Sequence, residues 1–203
     1  MRTVLVTAFE PFGGSGRNSS LDTLRALPAV LADTEIQKCV LPVEYDRSRE
    51  LLAERVHETE ELAALVCLGQ AEGRGAITPE YIAVNVMNGA IPDNAGRLAV
   101  FEPIVPGGAD GIFASLPVRR IAERLKELGI PSSVSFTAGT YVCNCVMYAA
   151  LILAKPLGIP AGFIHLPLSA EIAAAEGETG KTPALPQKVL TDGIEEALRI
   201  ILA

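Results

Sequence analysis

Cys143, His165 and Glu80 are the three residue types that together can run acyl transfer: a thiol to attack a carbonyl, an imidazole to move its proton, and a carboxylate to fix the imidazole's tautomer. Cys143 follows a turn containing Gly139 and precedes an apolar stretch expected to become helical near Asn144. A thiol at a helix N-terminus feels the positive end of the dipole, which lowers its pKa and favours thiolate. The first turn also offers free N–H groups for an oxyanion. His165 closes the strand-like GFIHLP, one helix and one strand later, which returns it to the same sheet edge. Glu80 follows Pro79 at the start of another strand-like stretch. Each residue alone also has a plainer reading: an inert buried thiol, a hydrogen-bonded structural histidine, a surface glutamate. Cys145 is the rival thiol, read as core beside Val146 and Met147, and Glu72 and Glu10 are rival carboxylates. His57, among Arg55, Glu58 and Glu60, reads as a solvated surface residue.

Two further loops could shape a site. Phe9 and Phe12 flank Glu10-Pro11, either as an apolar clamp for a small ring or side chain or folded back onto the core. Gly73 and Gly75 surround Arg74 in a loop whose backbone could approach a ligand, but neither a dinucleotide fingerprint nor a Walker pattern is formed. Cys39 and Cys67 sit in strand-like runs and read as small buried residues. Without a CxxC pair and with two histidines, no zinc site is expected, and no metal or cofactor is called for. Cys143-Asn144-Cys145 as a redox pair has one residue too few between its thiols.

The elements that must position these residues alternate between strand and helix patterns. Strands are expected at Thr3–Ala8, Ile36–Pro42, Ala63–Gly69, Val134–Phe136 and Ala161–Leu166. Helices are expected from Ser19 or Ser20 (as cap) to Leu27, over Arg47 to about Glu60, along the Val118–Leu128 stripe stopped by Gly129, over the all-apolar Cys145–Ala154, and along Leu190–Ile201. Between Ile77 and about Pro106 the pattern changes. Tyr81–Val86 alternates and Asn88-Gly89 is a hairpin signal, so this segment reads as an excursion from the main sheet. The fold class is α/β: one domain over residues 1–203, with an open twisted mostly parallel sheet, helices on both faces and a hairpin excursion. Active sites in such sheets form beyond the carboxyl ends of the strands, where the chosen residues lie.

Composition excludes other classes. The 203 residues carry a net charge of −7 with no basic run, a poor match to nucleic acid. Apolar residues make up 49% and charged residues 20%, which rules out a disordered chain. The longest apolar run, Cys145–Ala154, falls well short of the roughly 20 residues of a membrane span. No secretory leader is visible, so a reducing cytoplasm with free thiols is expected.

Several motifs occur in an order that goes beyond spacing: TAFEPFGG (7–14) with Asn18, GQAEGRGAITPEYIAVN (69–85), IPDNAG (91–96), AGTYVCN (138–144) and GFIHLP (162–167). Over nearly its whole length the chain resembles the pyroglutamyl peptidase I (pyrrolidone-carboxylate peptidase) family. The resemblance implies a cytosolic cysteine peptidase that removes an N-terminal pyroglutamyl residue from peptides, needs no metal and often forms homotetramers. It implies Cys143 as nucleophile, His165 as base, Glu80 as the acidic triad member, Phe9 and Phe12 around the lactam ring, and Gln70 in a loop near the catalytic centre. Family members often carry Arg immediately before IPDN, where this chain has Ala90, and Gly where it has Ala8. The missing guanidinium could be replaced by Arg74. With Ala90 in place of that Arg, the alternative is a non-catalytic module that binds pyroglutamyl peptides.

Overall fold

A computed structural model describes residues 1–203. The central sheet has six strands in the order β2-β3-β1-β4-β8-β5. β1 (Thr3–Phe9), β3 (Thr34–Leu41), β4 (Leu62–Gln70) and β8 (Ala161–Leu166) are mutually parallel, while β2 (Val30–Leu31) and β5 (Thr78–Pro79) are short antiparallel edges. Every residue of β1 and β8 is buried, the pattern of parallel strands covered on both faces.

Side-chain alternation divides the core in two. Leu5, Phe9, Leu65, Cys67 and Phe163 face α2 (Tyr45–Glu58) and α4 (Val142–Ala154). Val4, Val6, Ala8, Val66 and Ile164 face α1 (Ser19–Ala26), α3 (Val118–Glu127) and α6 (Gln187–Leu202). The expected layers and strand cores are present, and Cys39, Cys67 and Cys145 are buried as read. A short helix, α5 (Ala170–Ala175), follows β9 (Leu168–Ser169), which pairs with β10 (Ala184–Leu185).

Three local expectations are corrected. The cap of α1 is Asn18, whose side chain accepts from Ser20 N at 2.9 Å, rather than Ser19 or Ser20. Asn88-Gly89 does not turn a hairpin. β6 (Ile82–Val84) instead pairs with the distant β7 (Gly111–Phe113), so the excursion is two-stranded but closed elsewhere. A two-residue hairpin turn needs positive φ at its first central residue at least, and neither Asn88 nor Gly89 has it. Gly89 is required for close approach, because a Cβ there would lie 2.6 Å from the Tyr45 hydroxyl. Finally, Val134–Phe136 is not a strand. Residues 131–135 run beside β5 with only two isolated bridges, Ile77↔Ser132 and Glu80↔Ser135. Pro79 lies between those bridges and has no N–H to continue the ladder.

Candidate active site

The carboxyl ends of β1, β4 and β8 lie side by side and meet the N-terminus of α4. β8 delivers His165 on the same face as Phe163, with ring centroids 4.7 Å apart. Across the ladder, Gly69 stands opposite His165. A Cβ on Gly69 would lie 2.7 Å from the Phe163 ring and 3.1 Å from Cys143 Sγ. The sulfur therefore rests over the bare backbone of β4, beside the ring that touches His165. A side chain at position 69 would occupy that space.

Cys143 is the second residue of α4, which starts at Val142 and so two residues earlier than read. Tyr141 occupies the cap position without a side-chain cap bond. The N–H groups of Val142, Cys143 and Asn144 reach no backbone carbonyl, as at an uncapped first turn, and that of Cys143 faces its own sulfur. The expected fall in thiol pKa is not met. Burial pushes Cys143 up to about 12, helped by Cys145 and Glu80, and outweighs the lowering by Arg74. Desolvation likewise holds the His165 imidazole below its usual range, against the pull of Glu80. Both shifts favour the uncharged forms, thiol and imidazole, in the substrate-free site.

Glu80 is fully buried. Its Oε1 accepts from His165 Nδ1 at 2.7 Å and from Arg74 Nη1 at 2.6 Å, while Oε2 has no partner. Burial alone would raise this carboxyl. Hydrogen bonding and charge from His165, with Ser135 and Arg74, outweigh burial and hold it low. An ionised Glu80 receives Nδ1–H and leaves Nε2 as the basic nitrogen. The rival carboxylates are elsewhere. Glu72 is exposed, and Glu10 accepts from Val43 N and Asn94 Nδ2. His57 is exposed, as read.

A small pocket ends at Cys143. It is lined by Phe9, Phe12, Asn18, Val43, Gln70, Tyr141 and Val142. The rings fold back onto the core: Phe9 is a core residue at 2% exposure and Phe12 packs half-buried against the same core, and both line the pocket. Gln70 Oε1 accepts from Ser19 N at 2.8 Å, which orients the amide and leaves its NH2 as a donor. No roles were read from the sequence for Val43, Tyr141, Val142 or Asn18. Val43 is brought in by folding alone, whereas Tyr141 and Val142 could have been found as the residues that must open the helix of Cys143. Ala90 is exposed on the excursion. The Arg74 guanidinium is not free to take over at an oxyanion, because Thr78 Oγ1, Glu80 Oε1 and the Thr137 carbonyl engage it. The Ala8 methyl is buried in the opposite core from Phe9.

The family model for pyroglutamyl peptidase matches residues 2–203. The chain belongs to the pyroglutamyl peptidase family. Its relatives include the pyrrolidone-carboxylate peptidase of Thermococcus kodakarensis, 40% identical over 98% of this chain and 95% of that protein. The pyrrolidone-carboxylate peptidase of Levilactobacillus brevis is 37% identical over 98% and 97%. Among solved structures, a mutant pyrrolidone carboxyl peptidase from Pyrococcus furiosus aligns with TM-score 0.92 and 35% identity, covering 98% of each chain. Pyroglutamyl peptidase I of Bacillus amyloliquefaciens aligns with TM-score 0.91 and 34% identity, over 100% of this chain and 97% of that one. The α/β architecture is thus shared along the length of the chain.

Proposed function

We propose that this chain is a cysteine peptidase that removes an N-terminal pyroglutamyl (5-oxoprolyl) residue from peptides, residues 1–203 acting as one peptidase domain. The observation that carries the reading is the neutrality of the pocket at Cys143, which contains no acidic or basic side chain. A pyroglutamyl ring is a neutral lactam, so burying it leaves no unpaired charge. A prolyl residue would bring a cationic amine into the same apolar walls with nothing to balance it. Phe9 and Phe12 sandwich the ring, and the Gln70 NH2 donates to the lactam carbonyl.

In the proposed reaction, Cys143 Sγ attacks the carbonyl that joins pyroglutamate to the next residue. As the S–C bond forms, the thiol proton passes to His165 Nε2. The charge on the carbonyl oxygen is met by N–H groups at the start of α4. His165 then protonates the leaving amine and the C–N bond breaks. Water, deprotonated by His165, hydrolyses the thioester to pyroglutamate and regenerates the thiol. Glu80 holds the imidazole and stabilises its protonated form during each transfer. Side chains and water carry every step, so the scheme invokes no metal or cofactor.

Small pyroglutamyl peptides are the proposed partners. No helix is long and apolar enough to cross a membrane, and the acidic chain has no basic run for nucleic acid. All four cysteines are free thiols, which supports work in a reducing cytoplasm. We also propose self-association, as a tetramer, through the excursion. Supporting this are Ile91, Leu98, Val100 and Phe101, apolar and exposed on that segment. Phe101 is 79% exposed on a backbone with a left-handed φ of +48°, and a second copy covering it would remove that apolar surface from water.

The deciding experiment compares a pyroglutamyl amide reporter with a prolyl amide. The expected result is release from the first only. Cys143→Ala and His165→Ala should each lose at least about a thousandfold in kcat, while Cys145→Ala keeps most activity. Activity that survives Cys143→Ala and falls with Cys145→Ala would overturn the assignment. Reporter binding without turnover would point to the binding module instead.

A further inference from the structure

We infer that Arg74 is a positioning residue for this site: one guanidinium joins the carboxylate that orients His165 to the loop that leads into Cys143. The kinetic part of this inference rests on the peptidase reading, whereas its structural part does not.

Arg74 sits in the loop between β4 and β5, where Gly73 has φ +85°. Its Nη1 donates to Glu80 Oε1 and to Thr78 Oγ1, both at 2.6 Å, and its Nη2 donates to the Thr137 carbonyl at 3.0 Å. The fork thus spans two separate stretches of chain. One is β5 and the residue after it, which carries Glu80. The other is the Thr137–Gly139 turn, where Gly139 has φ +77° and its N–H bonds Thr137 Oγ1, four residues before the nucleophile. Only a planar, multiply donating head group can hold both, and a lysine ammonium is a single point. Glu80 is fully buried with Oε2 unpaired, so the Arg74 contact compensates a charge that otherwise has only His165 and nearby Ser135.

The same cation bears on the proton. The charged and titratable groups acting at this point are Glu80 after β5, Arg74 from the β4–β5 loop, and Cys143 on α4 with Cys145 behind it. From β4 the neighbour is Gly69, which has no side chain. A fixed positive charge disfavours an imidazolium at His165. Arg74 therefore keeps His165 free to accept a proton at lower pH than Glu80 alone would allow. Removing it raises the proton affinity of the Glu80–His165 pair as a whole, however the proton is shared.

The chain has two histidines, so proton NMR of the intact protein reads His165 directly. In Arg74→Gln the His165 titration midpoint should rise. The acid limb of kcat/KM for a pyroglutamyl reporter should move up by the same amount, an extra loss of activity on the acid side. Arg74→Lys keeps the charge and loses the fork. Its acid limb should return toward the parent while kcat stays several-fold reduced at unchanged KM. The inference is overturned by an unmoved His165 midpoint in Arg74→Gln, by a pH-independent loss that tracks the folded fraction, or by parental kcat in Arg74→Lys. Should Arg74→Gln not fold, Arg74→Lys decides on kcat and on whether its His165 midpoint stays near the parent's. Absence of reporter cleavage by the parent protein would count against the peptidase reading, and the titration would still decide the role of Arg74.

Discussion

At the scale of single residues, the resting protonation of Cys143 is where sequence and structure part. Position in the chain puts the sulfur at a helix N-terminus, which argues for thiolate. Its surroundings, invisible in the sequence, are the Phe163 ring and the backbone of Gly69, and they argue for thiol. Desolvation wins, because a first-turn dipole contributes at most ~2 kcal/mol and Cys143 is held near 12. Alkylation of Cys143 by iodoacetamide in the substrate-free protein should therefore keep rising with pH beyond 9, followed by mass spectrometry of the adduct. A plateau already reached near pH 6 would show a preformed thiolate–imidazolium pair and refute the neutral resting state. The residue types of Cys143, His165 and Glu80 were legible, as was their arrival at one sheet edge, because βαβ geometry dictates it. The three-way grip of Arg74 was not, since it depends on a loop conformation that no local pattern encodes.

At the scale of elements, α4 is held to the excursion by Asn144, the residue after the nucleophile. It is fully buried. Its Oδ1 accepts from Val84 N at 3.0 Å, and its Nδ2 donates to the carbonyls of Val84 at 2.8 Å and Val86 at 3.1 Å. One side chain thus pairs with β6 as a neighbouring strand would. Replacing Asn144 with Ala strands these buried groups, and urea unfolding should show a loss of about 2–4 kcal/mol, with reduced kcat because Cys143 is adjacent. A change below about 0.5 kcal/mol would mean that this contact does not hold the helix. Long periodic elements such as α3 and α6, and the buried strands β1, β4 and β8, were readable because both period and length were unambiguous. The excursion was misread at Asn88-Gly89 because a dipeptide propensity cannot register that Tyr45 needs the space of an absent Cβ. Val134–Phe136 fails as a strand because the neighbouring chain lacks an N–H at Pro79, a defect in the neighbour rather than in the segment itself.

At the scale of the whole molecule, the proposed self-association can be tested on the excursion. Phe101→Asp places a charge in the middle of the exposed apolar segment. Sedimentation velocity should show the parent chain as a tetramer and the variant as smaller species with unchanged circular dichroism. A parent chain that sediments as a monomer at tens of micromolar would end the proposal.

The split of the core has a consequence for how such a chain can change over time. The strands form a bulkhead: the chemistry occupies one compartment, and α1, α3 and α6 fill the other, in touch with the pocket through Asn18, the cap of α1, and the Ser19–Gln70 bond. Hydrophobic exchanges behind that wall can tune thermal endurance while the reacting atoms in front stay where they are. A lineage moving between cold and hot habitats therefore has half a protein to rewrite without relearning its reaction.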